Sequence, residues 1–85
     1  MEIYIIYGIT DCPACLRACA DLMENDIEYV FVETDFSPAF RSRIKDKWEW
    51  KTFPIIIKSD LGGDNLIGGY TELSNLLGFI DPSPS

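Results

Sequence analysis

The stretch that decides the fold is Ile3-Tyr4-Ile5-Ile6-Tyr7-Gly8-Ile9-Thr10-Asp11-Cys12-Pro13-Ala14-Cys15. Residues 2 to 7 are mostly β-branched or aromatic, with almost no polar alternation. That pattern predicts a central strand buried on both faces. Gly8 to Asp11 read as a loop. Pro13 suits the first turn of a helix, where its missing N–H is not needed. A Cys-x-x-Cys pair therefore sits where a buried strand gives way to a helix. The start of a helix offers unpaired N–H groups and the positive end of the macrodipole, and both stabilise a thiolate. Thiols so placed fall well below the ordinary pKa of about 8.5. The spacing assigns Cys12, at the exposed tip, the role of nucleophile. Cys15, within reach in the first turn, resolves the mixed disulfide.

Composition narrows the alternatives. The chain has 85 residues, 14 acidic against 7 basic, and a formal net charge of −7. This size and balance predict one globular domain over residues 1–80, with a frayed Pro/Ser tail at 81–85. An acidic chain without a basic cluster is a poor ligand for nucleic acid or anionic membrane. There is no histidine. Ser-His and Cys-His nucleophile pairs and histidine-ligated metals are thereby excluded. The three cysteines, Cys12, Cys15 and Cys19, cluster near one end. That is no secreted disulfide framework, so the expected setting is a reducing cytoplasm. A closed zinc site would need four ligands, and only Cys19 is left to add, so no metal is expected. Cys19 reads as core.

Downstream, Leu16, Cys19, Ala20 and Met23 recur at helical spacing and predict an amphipathic helix over 13–24. Residues 28–33 read as a second strand. Ser37-Pro38 predicts an N-cap followed by proline at N1, opening a helix with Phe40, Ile44 and Trp48 on its inner face. Residues 53–58 read as a third strand, 60–64 as a turn and Asn65-Leu66-Ile67 as a fourth strand, making a hairpin. Thr71 is expected to cap a last helix carrying Leu73, Leu76, Leu77 and Ile80 inward. The order is β-α-β-α-β-β-α. Strands alternating with helices predict parallel pairing, with the hairpin as an antiparallel edge.

Two weaker motifs follow the cysteines. Thr52-Phe53-Pro54 opens a strand, where proline is tolerated because it cannot donate to the ladder. A cis bond there would expose the Phe53 backbone to an extended thiol peptide. Gly68-Gly69-Tyr70-Thr71-Glu72 places two glycines before a helix start, where free N–H groups can take a carboxylate. Singly, the first is more often a plain strand boundary and the second a plain turn.

In this order, the three motifs are similar to those of the glutaredoxins, over about residues 2–80. The resemblance implies a thioredoxin-like fold, a four-stranded mixed β-sheet flanked by three helices. It implies glutathione as cosubstrate and reductant, with Cys12 attacking and Cys15 resolving. Phe53, before cis-Pro54, would pair through its backbone with the glutathione cysteine. Gly69, Thr71 and Glu72 would hold the γ-glutamyl end, Glu72 keeping the charge of the aspartate common there. Many members carry lysine where this chain has Ile9, so Lys51, Lys47 or Arg43 could take the glycine carboxylate. Ala14 replaces the usual tyrosine or phenylalanine of the Cys-Pro-x-Cys motif. Asp11 opposes a thiolate on Cys12, and Arg17 or Lys51 could offset it.

The implied protein is a monomer that reduces protein disulfides and glutathione mixed disulfides, with ribonucleotide reductase among the family's common clients. Two other functions use the same cysteines. One is a small thioredoxin-like reductase recharged by a flavoprotein. The other is an iron–sulfur carrier, a role that usually accompanies a Cys-Gly-Phe-Ser motif absent from this chain.

Overall fold

The computed structural model describes residues 2–78. Seven elements follow the expected order. They are β1 (Glu2–Gly8), α1 (Pro13–Glu24), β2 (Tyr29–Glu33), α2 (Pro38–Trp48), β3 (Ile55–Asp60), β4 (Gly63–Gly68) and α3 (Tyr70–Leu77). The strands form one sheet in the order β2-β1-β3-β4. Only β1 and β2 pair in parallel; β1–β3 and β3–β4 are antiparallel. The parallel pairing expected for the third strand is thus corrected. The crossover through α2 delivers β3 running against β1, with Tyr7 opposite Ile55 and Ile5 opposite Ile57.

Each face of the sheet has its own core, because side chains alternate along a strand. Tyr4, Ile6 and Ile56 face α1 and α3, where they meet Ala18, Leu22 and Leu73. Ile55 and Ile57 face α2 and meet Ile44, with Phe40, Trp48, Trp50 and Phe53 packed around them. Trp48 therefore lies in the core stripe as expected, and Trp50 joins the same cluster. Each of these cores is small, and β1 and β3 supply both of them. The continuous apolar run of β1 is the consequence.

The stripe expected on α1 is corrected. Leu16 is 68% exposed and Met23 63%, and Ala20 is also exposed. The buried residues are Cys15, Ala18 and Leu22, with Cys19 packed beside them. Both sets keep the i, i+3, i+4, i+7 spacing, one residue apart, which is about 100° around a helix. Each stripe holds one leucine, one alanine and Cys19, and they differ only in Met23 against Cys15, so hydrophobicity alone does not choose the face. The helix is instead rotated so that Cys15 points at the sheet.

On α3 the cap is Gly69, not Thr71, which is exposed within the first turn. Leu73 and Ser74 are buried, while Leu76 is 53% exposed rather than inward. Ile80 and the tail fall outside the described residues. Ser37 caps α2 as expected, its hydroxyl accepting from Phe40 N–H at 3.2 Å. β3 keeps the expected length but starts two residues later, at Ile55, and β4 runs over Gly63–Gly68 rather than 65–67, so the turn shrinks to Leu61-Gly62. Among the described residues no helix is long and apolar enough to cross a membrane.

The corrected stripe has a measurable consequence. Leu22→Ala should cost about 2–5 kcal/mol, because it opens a cavity in a filled core. Met23→Ala should stay within about 0.5 kcal/mol, as surface changes do. Urea denaturation of the two variants checks this, and a larger loss at Met23 would put the core on the other face.

Candidate redox site

The site forms where β1 ends. Gly8 is buried, and it is glycine because of what approaches it. A Cβ there would lie 2.6 Å and 2.8 Å from the Phe31 ring and 2.9 Å from Cys15 Sγ. The Gly8 carbonyl accepts two hydrogen bonds from the fully buried Thr34, one from its N–H at 2.8 Å and one from its hydroxyl at 3.0 Å. Both lone pairs of a buried carbonyl are satisfied in this way. The chain then reverses through Asp11 in the left-handed region, φ 56°, which aspartate tolerates better than most residues.

The loop before Cys12 is also tied down from the side. Thr10 N–H donates to Asp35 Oδ2 at 3.0 Å, and Thr10 Oγ1 donates to Glu33 Oε2. The bond from the Thr10 backbone holds the Asp35 carboxyl below its ordinary range, with further help from Glu33 and the Thr10 hydroxyl. These contacts fasten Thr10 to the end of β2 and to the segment that follows it.

Cys12 is the N-cap of α1, with φ −118° and ψ 97°. Its sulfur accepts from Cys15 N–H at 3.2 Å, and its carbonyl accepts from Leu16 N–H at 3.1 Å. No acidic residue lies in the first turn to compete for the helix dipole. Cys12 is partly exposed and Cys15 is 1% exposed. The two are joined as a disulfide with Cα atoms 5.2 Å apart. An accessible sulfur and a covered one, sharing one bond at a helix N-terminus, can carry out thiol–disulfide exchange. Cys19 is free and lies partly against the core, and burial pushes its thiol up.

The second wall comes from β3 and α3. The Phe53–Pro54 peptide bond is cis. With Tyr7 opposite Ile55, Pro54 and Phe53 continue past Gly8 at the same end of the sheet as Cys12. Gly69 lies close by. A Cβ on it would be 3.7 Å from the Pro54 carbonyl, 3.6 Å from Trp50 Nε1 and 3.4 Å from Glu72 Oε1. The structure therefore gathers Pro54, Gly69 and Glu72 of the expected set, and it adds Trp50. Its indole N–H is buried and has no partner among the described residues. The Glu72 carboxylate folds back to accept from Gly69 N–H at 2.9 Å, closing the first turn of α3.

Lys51 is exposed, Arg43 is exposed, and Lys47 Nζ lies 5.3 Å from the centroid of the Trp48 ring. Lys45 Nζ, which the sequence does not single out, lies over the Phe53 ring at 5.4 Å. Arg17 lies over Tyr70 at 5.7 Å, and Tyr70 donates to Asp21 Oδ2 at 2.8 Å. Burial, and then the bond to Asp21, push the Tyr70 hydroxyl up. Arg17 thus joins α1 to the start of α3. Among the described residues no three His, Cys, Asp or Glu side chains are placed to hold a metal.

A model of the glutaredoxin family matches residues 4–61. This chain belongs to the glutaredoxin family. Its Cys12–Cys15 pair fits the family's Cys-x-x-Cys motif, and members are generally thiol–disulfide oxidoreductases. Glutaredoxin 1 from Francisella tularensis, in a structure complexed with cacodylate, is 27% identical with a TM-score of 0.69; the match covers 94% of this chain and 96% of that one. Reduced Escherichia coli glutaredoxin is 24% identical with a TM-score of 0.65, over 92% and 95% of the two chains. A thioredoxin-like protein is 21% identical with a TM-score of 0.65, over 86% and 97%. The last two likenesses speak to fold alone. No sequence among the curated proteins matches this chain. This glutaredoxin therefore has the thioredoxin-like fold, a mixed sheet of four strands with three helices, and a thiol oxidoreductase's cysteine pair.

Two tests follow from the anchoring of the cysteine loop. Gly8→Ala should destabilise the protein by about 1–3 kcal/mol through overpacking, read by urea denaturation. The Asp35 carboxyl is lowered in the folded state, so the stability it adds is present above the unfolded value of about 3.9. That stability is lost as pH falls through the lower folded value. Asp35→Asn should therefore be less stable than the parent at pH 6, and the gap should close towards pH 3. A gap that stays constant would mean that the charge does not hold the loop.

Proposed function

We propose that this glutaredoxin reduces glutathione mixed disulfides and protein disulfides with glutathione as electron donor. The observation that carries this reading is the asymmetry of the cysteine pair at the helix start. One sulfur is reachable and accepts the Cys15 N–H; the other is covered.

In the reduced protein, the same N–H and the helix dipole would favour the Cys12 thiolate. That thiolate attacks the sulfur of a disulfide substrate. A bond forms to Cys12, the substrate bond breaks, and the electron pair leaves on the departing thiolate, which takes a proton from water. With a glutathionylated protein, Cys12 attacks the glutathione sulfur and the protein thiol departs. A second glutathione thiolate then attacks the glutathione sulfur of that mixed disulfide, releasing oxidised glutathione and the Cys12 thiolate. With a protein disulfide, Cys15 attacks the mixed disulfide at Cys12, frees the substrate thiol and leaves the Cys12–Cys15 bond. Two glutathione molecules then reduce that bond.

The wall opposite suits the cosubstrate. The Phe53 backbone before cis-Pro54 would pair with the extended glutathione cysteine. At the start of α3, capped by Gly69, the N–H groups of Thr71 and Glu72 would take the γ-glutamyl carboxylate. One oxygen of Glu72 already serves Gly69, and the other would accept from the γ-glutamyl ammonium. Lys51 or Lys45 would take the glycine carboxylate. Ile9 supplies no charge there.

The test compares two reductant systems on one glutathionylated peptide. Turnover should be fast with glutathione and glutathione reductase and slow with thioredoxin reductase. The reverse would make the protein a thioredoxin-like reductase recharged by a flavoprotein. In the glutathione system, Cys12→Ser should lose all activity. Cys15→Ser should keep deglutathionylation and lose reduction of protein disulfides. Full activity of Cys12→Ser would refute the mechanism.

A further inference from the structure

The sulfur of Cys15 lies against a side chain that the redox chemistry does not itself need. Phe31 stands in β2, an edge strand, directly opposite Ile6 of β1. Tyr29 packs into the core beneath α1 and α3, and Phe31, two residues on, shares its face of the sheet. The residue is nonetheless 40% exposed. A large aromatic left so open on a strand edge calls for a reason.

Gly8 supplies it. The point where a Gly8 Cβ would stand is 2.6 Å from Phe31 Cε1, 2.8 Å from Phe31 Cζ and 2.9 Å from Cys15 Sγ. Ring and sulfur both converge on the space the missing side chain leaves. They are therefore less than about 6 Å apart, the range of a sulfur–aromatic contact. The Cε1–Cζ end of the ring borders the same Gly8 gap as Cys15 Sγ. Cys15 itself is 1% exposed. Phe31 is thus the exposed β2 residue that borders the Gly8–Cys15 space, whereas Cys12 is partly exposed at the N-cap.

We propose that Phe31 is a positioning residue that decides which sulfur of the pair an external thiol can reach. This rests on the reading of Cys12 as the exchanging sulfur. A thiolate reducing the Cys12–Cys15 bond has two targets. Attack on Cys12 forms the mixed disulfide there, breaks the Cys12–Cys15 bond and leaves the electron pair on Cys15, which takes a proton. The mixed disulfide is then open to a second glutathione. Attack on Cys15 would instead bury the mixed disulfide and expel Cys12. The next thiol could not reach it, and turnover would stall. The Phe31 ring blocks this second route by occupying the approach, while the absence of a Gly8 side chain lets it lie close enough to do so.

The experiment measures access to each cysteine separately. Reduced wild type, Phe31→Ala and Phe31→Leu are labelled briefly with iodoacetamide and the sites mapped by mass. In Phe31→Ala, labelling of Cys15 should rise by about tenfold or more, with Cys12 unchanged. Phe31→Leu, which refills most of the space, should fall between. Cys19 is the internal control, since it lies on the same helix and does not share the Gly8 space. In parallel, the oxidised proteins are mixed with glutathione and quenched in acid. Glutathione should be found on Cys12 alone in wild type and on both cysteines in Phe31→Ala. An unchanged Cys15 rate in the alanine variant would overturn the proposal, and so would a rise shared equally by Cys19, which would mean general loosening. Should the alanine variant not fold, an unchanged Cys15 rate in Phe31→Leu overturns it. Dominant labelling of Cys15 in the wild type is a different failure, and it would overturn the assignment of Cys12 itself.

Discussion

Everything at this site depends on how closely the first turn of α1 approaches the end of β1. Gly8 makes that approach possible, since any Cβ would collide with a ring and a sulfur. Its carbonyl, doubly bonded by the buried Thr34, fixes the strand end against the segment after β2. From that fixed point only Ile9, Thr10 and Asp11 separate strand from N-cap, and Asp35 pins the middle one. The helix has little freedom to rotate. Cys15 is turned into the sheet, and Cys12 is left at the cap. The chemical inequality of two identical side chains is thus a packing result.

The second wall is assembled by different forces. Gly69 is squeezed among the Pro54 carbonyl, the Trp50 indole and the Glu72 carboxylate. Glu72 satisfies the Gly69 N–H, which shapes the start of α3. Tyr70 ties that start to α1 through Asp21, with Arg17 stacked on its ring. One side of the groove is therefore braced against the other across the top of the sheet. In an acidic protein, cations near such a groove are few. The structure spends Arg17 on Tyr70 and sets Lys45 over Phe53.

The two small cores explain why so short a chain can hold this shape. β1 and β3 face helices on both sides, so the Ile-rich runs of those strands serve two cores at once. Burial of the same strands from both sides is a compact use of apolar residues. The edge strands, by contrast, carry their apolar residues half exposed, and Phe31 is the one with a neighbour of chemical interest.

Element order, the strand-to-helix position of Cys12 and Cys15, and the Ser37 cap are all legible from sequence. Local rules govern each of them: apolar runs for strands, Pro at N1, a hydroxyl at the N-cap. The likeness to glutaredoxins was legible too, because three motifs occur in a fixed order. Other features needed the tertiary structure. The buried face of α1 was one, since the two candidate stripes differ only in Met23 against Cys15, and only docking against Gly8 breaks the tie. The antiparallel β1–β3 pairing was another, because α2 sets the direction in which β3 enters. Gly69 displaced Thr71 as the cap once Glu72 reached back to its N–H. Gly8, Thr34, Phe31 and Trp50 bear no motif at all. Their importance comes from residues far apart in sequence, such as Gly8 and Thr34, 26 positions apart, meeting at one end of the sheet, and no local pattern encodes that meeting.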